Sequence, residues 1–316
     1  FNNRPNVVVK VPGKNPGQAK SLLLSGHLDV VAADNTDAWT YPPFIPTIHE
    51  GYIYGRGSVD MLAGFTAMIM AVEAMKKAEI HLDGDLWIAG IVCEESGGTG
   101  GLMLANYLKG LGVKIDAGIM GEPTDLDLSL LCRGIQKVDV IVRGRTGNLE
   151  AKQPHWSDGG PVDAIQKARY ILNAVDELNR EWALREDKTH PLLSIPCQVR
   201  LAEIEGGHQR SSYPDYCKLG LNIQVLPKET DENGLGTKTK KEFIDFMNKV
   251  FDSDPWMRQC RPEVKWVSES DCSEVNVEHP FVGIFINQAR KVHPEIKLGG
   301  SGFHTDTGWF KRLNNI

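Results

Sequence analysis

Over residues 1–133 the apolar positions fall into short continuous runs separated by helically spaced stripes. The runs Asn6–Val11, Ser21–Ser25, Leu86–Val92 and Ile115–Met120 read as strands. Leu62–Lys77 carries Phe65, Met68, Ile69, Val72 and Met75 at helical spacing, and Gly100–Lys109 continues as a second helix. Strands that are apolar on both faces belong in a sheet covered on both sides. The expected class is therefore α/β, with a mixed, mostly parallel sheet flanked by helices. In such sheets ligands collect at the carboxyl ends of the strands. His27, Glu94, Glu95 and Glu122 all fall at such ends.

Near residue 134 the pattern changes. Lys137–Val142 alternates like a half-exposed strand, and Asp163–Arg180 reads as a helix with Ile165, Ala168, Ile171, Leu172, Val175 and Leu178 on one side. Pro196–Ile204, Cys217–Val225 and Glu263–Val267 read as strands, with a helix at Lys240–Phe251 preceded by an exposed polar loop from Asp231. This is an α+β pattern and marks a smaller, inserted domain. Phe281–Val292 returns to helix, and Lys297–Gly300 opens a Gly-rich loop. The expected division is 1–133, 134–268 and 269–316, with the first and last pieces forming one domain.

Composition narrows the classes. A length of 316 residues suits about two domains. With 41% hydrophobic and 24% charged residues, the chain reads as an ordinary soluble globular protein. The net charge of -6 argues against a nucleic-acid or anionic-membrane partner. No apolar run approaches the ~18–20 residues of a membrane span. The start, Phe1-Asn2-Asn3-Arg4-Pro5, shows no signal peptide and no initiator Met, so the sequence reads as part of a longer chain. The six cysteines form no C-x-x-C pair, which suits reduced structural thiols and a cytoplasmic location, and disfavours a thiolate zinc site.

The chemistry concentrates in four loops. Glu94 and Glu95 are adjacent carboxylates after an apolar strand, where burial demands a partner such as a divalent cation. One can ligate while the other moves a proton. His27 is followed two residues later by Asp29, placed to accept the second imidazole N–H. Asp60 follows the turn Gly55-Arg56-Gly57 and suits either a ligand or a helix N-cap. Glu122 lies in Gly121-Glu122-Pro123-Thr124. Arg133 and Arg210 read as surface arginines, with a substrate carboxylate as the alternative partner.

Taken together, the motifs Ser25-Gly26-His27-Leu28-Asp29, Tyr54-Gly55-Arg56-Gly57-Ser58-Val59-Asp60-Met61, Glu94-Glu95-Ser96-Gly97-Gly98 and Gly121-Glu122-Pro123-Thr124 resemble the co-catalytic zinc exopeptidase and deacylase family. Gly159–Ile165 and Gly299–Asp306 extend the resemblance over nearly the whole chain. The family includes acetylornithine deacetylase, succinyl-diaminopimelate desuccinylase, aminoacylase and carboxypeptidase G-type enzymes. The resemblance implies that His27 and Glu122 hold one zinc, Asp60 bridges to a second, and Glu95 binds that second ion. It implies Glu94 as general base for a metal-activated water and Asp29 as the catalytic-site residue orienting His27. One or two Zn2+ per chain follow, with Co2+ or Mn2+ able to substitute. It also implies a small N-acylated substrate and a homodimer formed through residues 134–268, which would act as a lid.

Three departures from that pattern stand out. The family's final metal-binding His, expected after a Gly-Pro-Gly-type segment, is absent from this sequence, and His304 lies upstream in a loop of another kind. Asn148 stands where a His commonly donates to the oxyanion; His155 is an alternative donor. Met61-Leu62-Ala63-Gly64 replaces the usual Met-Lys-Gly-Gly. Ser211 and Asp306 join Asn148 and His155 as candidate substrate contacts. The expected activity is removal of an acyl group from an N-acyl amino acid such as N-acetylornithine. The alternatives are deformylation of an aminopyrimidine, dipeptide cleavage, or a homologue that binds without hydrolysing.

Overall fold

The computed structural model describes residues 3–231 and 235–316, so residues 232–234 of the expected polar loop lie outside the described residues. The chain forms two compact units. The first comprises Phe1–Cys132, Ser273–Ser301 and Thr305–Ile316, and the second Arg133–Cys272 with Gly302–His304.

The first unit opens with β1 (Val7–Val11) and β2 (Leu22–His27), a short hairpin of β3 (Thr47–His49) and β4 (Tyr52–Tyr54), and helix α1 (Ala63–Lys77). It continues through β5 (Leu86–Ile91), α2 (Thr99–Gly110), β6 (Ala117–Met120) and β7 (Leu128–Cys132). Its main sheet has the order β1-β5-β2-β6, with β2 parallel to β5 and β6 and only the edge strand β1 antiparallel. The sheet is thus mixed and mostly parallel. Central β2 is buried from Leu23 to His27, which is why it reads as an unbroken apolar run. Edge strand β1 keeps Val7, Val9 and Val11 exposed.

The second unit contains β8 (Gly134–Arg143), α3 (Ala164–Trp182), β9 (Val199–Gly206), β10 (Tyr216–Val225), α4 (Thr237–Ser253), α5 (Pro255–Gln259) and β11 (Glu263–Ser270). Its sheet is antiparallel throughout in the order β11-β8-β10-β9. Alternate residues Val138, Val140 and Val142 of β8 meet Leu219, Leu221 and Ile223 of β10 and the apolar stripes of α3 and α4 in one core. Helix α3 starts where Asp163 accepts the N–H of Gln166 at 3.0 Å, a side-chain N-cap. Arg133 departs from expectation: its side chain is fully buried, bonded to Gln224 at 2.8 Å and to the Ile195 carbonyl. It cannot serve a substrate at the surface.

The chain then re-enters the first unit through β12 (Ser273–Glu274), α6 (Pro280–Ala289), β13 (Leu298–Ser301) and α7 (Thr307–Asn314). The expected Gly-rich loop at Lys297–Gly300 is corrected here, because β13 pairs in parallel with β7 and completes the sheet β12-β7-β13. Glycines disfavour a strand intrinsically, but ladder bonds to a neighbour override that preference. Ser58–Lys77 has the length and apolar character of a membrane span. Its helical dihedrals break at Asp60 and Met61, and the regular helix is 15 residues, short of the ~20 that a span needs.

Candidate metal centre and catalytic loop

Every residue assigned to the metals and the general base lies in the first unit. His27 ends β2 and is 1% exposed. Gly26, before it, leaves no room for a side chain: a Cβ there would sit 2.4 Å from the Met61 methyl. Asp60 lies in the turn before α1, with extended dihedrals (φ -115°, ψ 100°), and does not cap the helix; Leu62 occupies the N-cap position without a side-chain bond. Glu122 follows β6. Gly64, in the first turn of α1, is pressed on the carbonyl of Gly121, where an added Cβ would come within 2.0 Å. That glycine-on-glycine contact brings the Glu122 loop against the helix that follows Asp60.

The result is one cluster. His27, Asp60 and Glu122 each offer a ligand atom, all within 4.8 Å of one another. His27 Nε2 is 2.9 Å from Asp60 Oδ1 and 3.9 Å from Glu122 Oε2. Glu122 is nearly buried, and its Oε1 has no hydrogen-bond partner. Glu95 lies outside this three-residue group.

Electrostatics describe an excess of negative charge. Burial, reinforced by Glu94 and partly offset by His27, pushes the Glu122 carboxyl up to about 8. Burial, then Asp60 and Glu94, raises Glu95 as well. Burial alone would lower the His27 imidazole, but Glu122, the Asp29 carbonyl, Glu94 and Asp60 together hold it above its ordinary value. Crowded carboxylates around one imidazole, one oxygen of them buried and unpaired, fit a divalent cation: it would neutralise the charge and accept the orphaned oxygen. The mixed His and carboxylate donor set suits Zn2+.

Asp29 corrects an expectation. The imidazole Nδ1 of His27 faces the backbone carbonyl of Asp29 at 2.8 Å, whereas the nearer carboxylate oxygen is 3.9 Å away, beyond hydrogen-bond range. The Asp29 carboxylate instead accepts the backbone N–H of Glu94 at 3.1 Å and of Glu95 at 3.2 Å, one on each oxygen. The loop it holds is sharply turned. Cys93, Gly97 and Gly98 all have positive φ (59°, 112° and 69°), and the Gly97 and Gly98 N–H groups both return to the Glu94 carbonyl.

Asp306 is also corrected. It is fully buried, both its carboxylate oxygens lack partners, and a Cβ on Gly101 of α2 would lie 2.2 Å from its Oδ1. So enclosed, it presents no oxygen to a substrate. Burial, then Glu94, Glu122 and Asp29, raises its carboxyl well above the usual range. Burial of an aspartate leaves no trace in sequence pattern.

Asn148, His155 and Ser211 belong to the second unit. Asn148 pairs with Ser212 in a β-bridge and accepts the Glu150 N–H at 2.8 Å; beside it the Leu149 N–H donates to the Ser211 carbonyl at 2.9 Å. The structure thus brings Asn148, exposed, and Ser211, half-buried, into one loop pair. His155 caps a short helical turn, with Nδ1 2.8 Å from Ser157 Oγ.

A sequence model described as peptidase family M20/M25/M40 matches residues 23–316. The N-formyl-4-amino-5-aminomethyl-2-methylpyrimidine deformylase of Bacillus subtilis (strain 168) is 29% identical over 96% of this chain and 72% of its own length. The succinyl-diaminopimelate desuccinylase of Herminiimonas arsenicoxydans is 36% identical over 68% of this chain and 56% of its own. Among solved structures, the di-peptidase Dug1p of Saccharomyces cerevisiae has a TM-score of 0.71 at 16% identity, covering 98% of this chain and 74% of that one, a likeness of fold.

Proposed function

From the premise that this chain belongs to peptidase family M20/M25/M40, and so is a metal-dependent amide hydrolase, we propose that it removes a small acyl group from an amine, with a formylated aminopyrimidine as the favoured substrate class. Two deformylases match 96% and 98% of the chain, so their reaction is the best-supported choice. A succinylated amino acid is the second reading, favoured by the higher identity of the desuccinylase over a shorter span. Both are preferred here to the N-acetylornithine expected from the sequence.

The reading is carried by the His27–Asp60–Glu122 cluster beside the Glu94–Glu95 loop. In this assignment His27, Asp60 and Glu122 would hold one ion, and Glu95 would help to hold a second. The ions, when bound, supply positive charge that polarises the scissile carbonyl and acidifies the attacking water. Glu94 takes the proton from that water as it attacks and returns it to the departing amine, so that one carboxylate acts first as base and then as acid. Its exposure of 8% keeps bulk water from competing for the proton. Asn148, His155 and Ser211 keep, on the family resemblance alone, the substrate-contact role expected from the sequence. Six cysteines without a C-x-x-C pair suit a cytoplasmic setting. A homodimer through the second unit is supported by its edge strand β9, which exposes Leu201 and Ile204.

Zn2+-loaded protein assayed against the formylated aminopyrimidine, N-succinyl-diaminopimelate, N-acetylornithine and a dipeptide tests the assignment. The formyl substrate should give the highest kcat/KM. Glu94→Ala should lower kcat by about 10²–10⁴-fold with bound zinc retained. Zinc-loaded protein that turns over none of these amides would leave only the binding homologue.

A further inference from the structure

Two backbone bonds converge on one carboxylate at the heart of the site. We propose that Asp29 is a positioning residue for the catalytic loop: its carboxylate fixes the Glu94 and Glu95 backbone, while its own carbonyl, independent of its side chain, orients His27. The proposal rests on the assignment of Glu94 as the base, and it relocates the work of Asp29 from the imidazole to the loop.

The geometry separates the two jobs. The His27 Nδ1 contact at 2.8 Å is made to a main-chain oxygen, which every substitution of Asp29 preserves. The side chain, in contrast, is occupied by the Glu94 and Glu95 N–H groups at 3.1 and 3.2 Å. The last ladder bond here is donated by Leu28 to the Ile91 carbonyl at 2.7 Å, and the chain then turns through Cys93 with φ 59°. A carboxylate accepting two adjacent N–H groups sets the position and the rotation of that dipeptide. Rotation matters because neighbouring side chains must diverge, Glu95 toward an ion and Glu94 toward the attacking water. A loop shift of about 1 Å is enough to lower a reaction rate by about 100-fold.

The test compares Asp29→Ala and Asp29→Asn with wild type by amide hydrogen exchange, Zn2+ retention and steady-state kinetics. In Asp29→Ala the Glu94 and Glu95 amides should exchange at least about tenfold faster. Zinc should still bind through His27, Asp60 and Glu122, with affinity within about threefold of wild type. kcat should fall by about 100-fold while KM moves less than about threefold. Asp29→Asn, which keeps one acceptor oxygen, should lie between the two in both exchange and kcat. Zinc affinity lost while both amides stay protected would return Asp29 to the imidazole and overturn the proposal, as would a kcat within about threefold of wild type. The exchange measurement needs no substrate, so a wild type that hydrolyses none of the amides would refute the proposed activity and still leave the clamp decided. An alanine variant that fails to fold leaves the asparagine variant to decide it by the same readings.

Discussion

Glu122 shows at the scale of one residue why this centre calls for a cation. Its carboxyl, pushed up to about 8 by burial and by Glu94, keeps its proton well above the ordinary carboxylate range in the metal-free protein. The native state therefore binds that proton more tightly than the unfolded chain does between about pH 4.5 and about pH 8. A group raised in this way contributes stability that is fully present below the unfolded pKa. That contribution is lost as pH rises through the folded value. Metal-free protein should accordingly melt at a lower temperature near about pH 8 than near about pH 5, and Glu122→Gln, which stays neutral, should flatten that part of the slope. Saturating Zn2+ should stabilise wild type much more than the glutamine variant, and its uptake should release a proton near neutral pH. Thermal unfolding across pH with chelator or zinc reads both effects. An equal slope in wild type and Glu122→Gln would show that Glu122 is not the strained group.

Among the elements, glycine contacts decide where the ligand loops sit. Gly64→Ala would drive a Cβ against the Gly121 carbonyl, and backbone cannot swing aside as a side chain can. The variant should lose about 1–3 kcal/mol of stability and bind zinc more weakly, because the displaced segment carries Glu122. Gly110→Ala, at the open end of α2 with nothing within 4 Å, is the control and should be neutral or slightly stabilising. Denaturant unfolding and zinc titration check both variants. Elements with strong periodicity were legible beforehand: β2, β5, α1, α2, α3, β10 and α4 form close to where the apolar pattern places them. The three-residue strands of hairpin β3–β4 were not legible, nor was β13, because Leu298-Gly299-Gly300-Ser301 has little strand propensity and is held by its pairing with β7. At the centre, ligand-type residues and their loops could be read from the chain. The Asp29 carboxylate bonding to two main-chain N–H groups could not, since sequence pattern reports side chains and says nothing of which backbone donors a side chain will meet.

Over the whole molecule, the second unit is inserted at a point where its two ends are already neighbours. Cys132 and Ser273 face each other in the β7–β12 ladder, and Ile135 and Ser270 do so in the β8–β11 ladder, so the chain departs and returns through adjacent paired strands. An insertion of this kind can carry its own core and its own stability. Its most concentrated polar feature is Lys188, fully buried, bonded to Glu229 and 2.8 Å from Glu242, with Nζ 3.7 Å from the centre of the Trp182 ring. Glu229 also accepts from Thr239 at 2.9 Å and from the Leu226 N–H at 2.9 Å, while Trp182 donates to Glu242 at 3.0 Å. This network joins the segments before and after β9 and β10 to both α3 and α4. Removing only the cation strands the buried Glu229 carboxylate, while Glu242 keeps its ion pair with Arg185, and breaking a buried pair in this way costs about 3–5 kcal/mol. Lys188→Met, which keeps the volume but not the charge, should therefore speed amide exchange throughout α3, α4 and β10. The Glu94–Glu95 amides and zinc uptake through His27, Asp60 and Glu122, which lie in the first unit, should be unchanged. Exchange measured by mass spectrometry on the intact chain separates the outcomes: acceleration confined to the second unit supports two separately stabilised cores, and equal acceleration at the Glu94 loop would show that the two unfold as one.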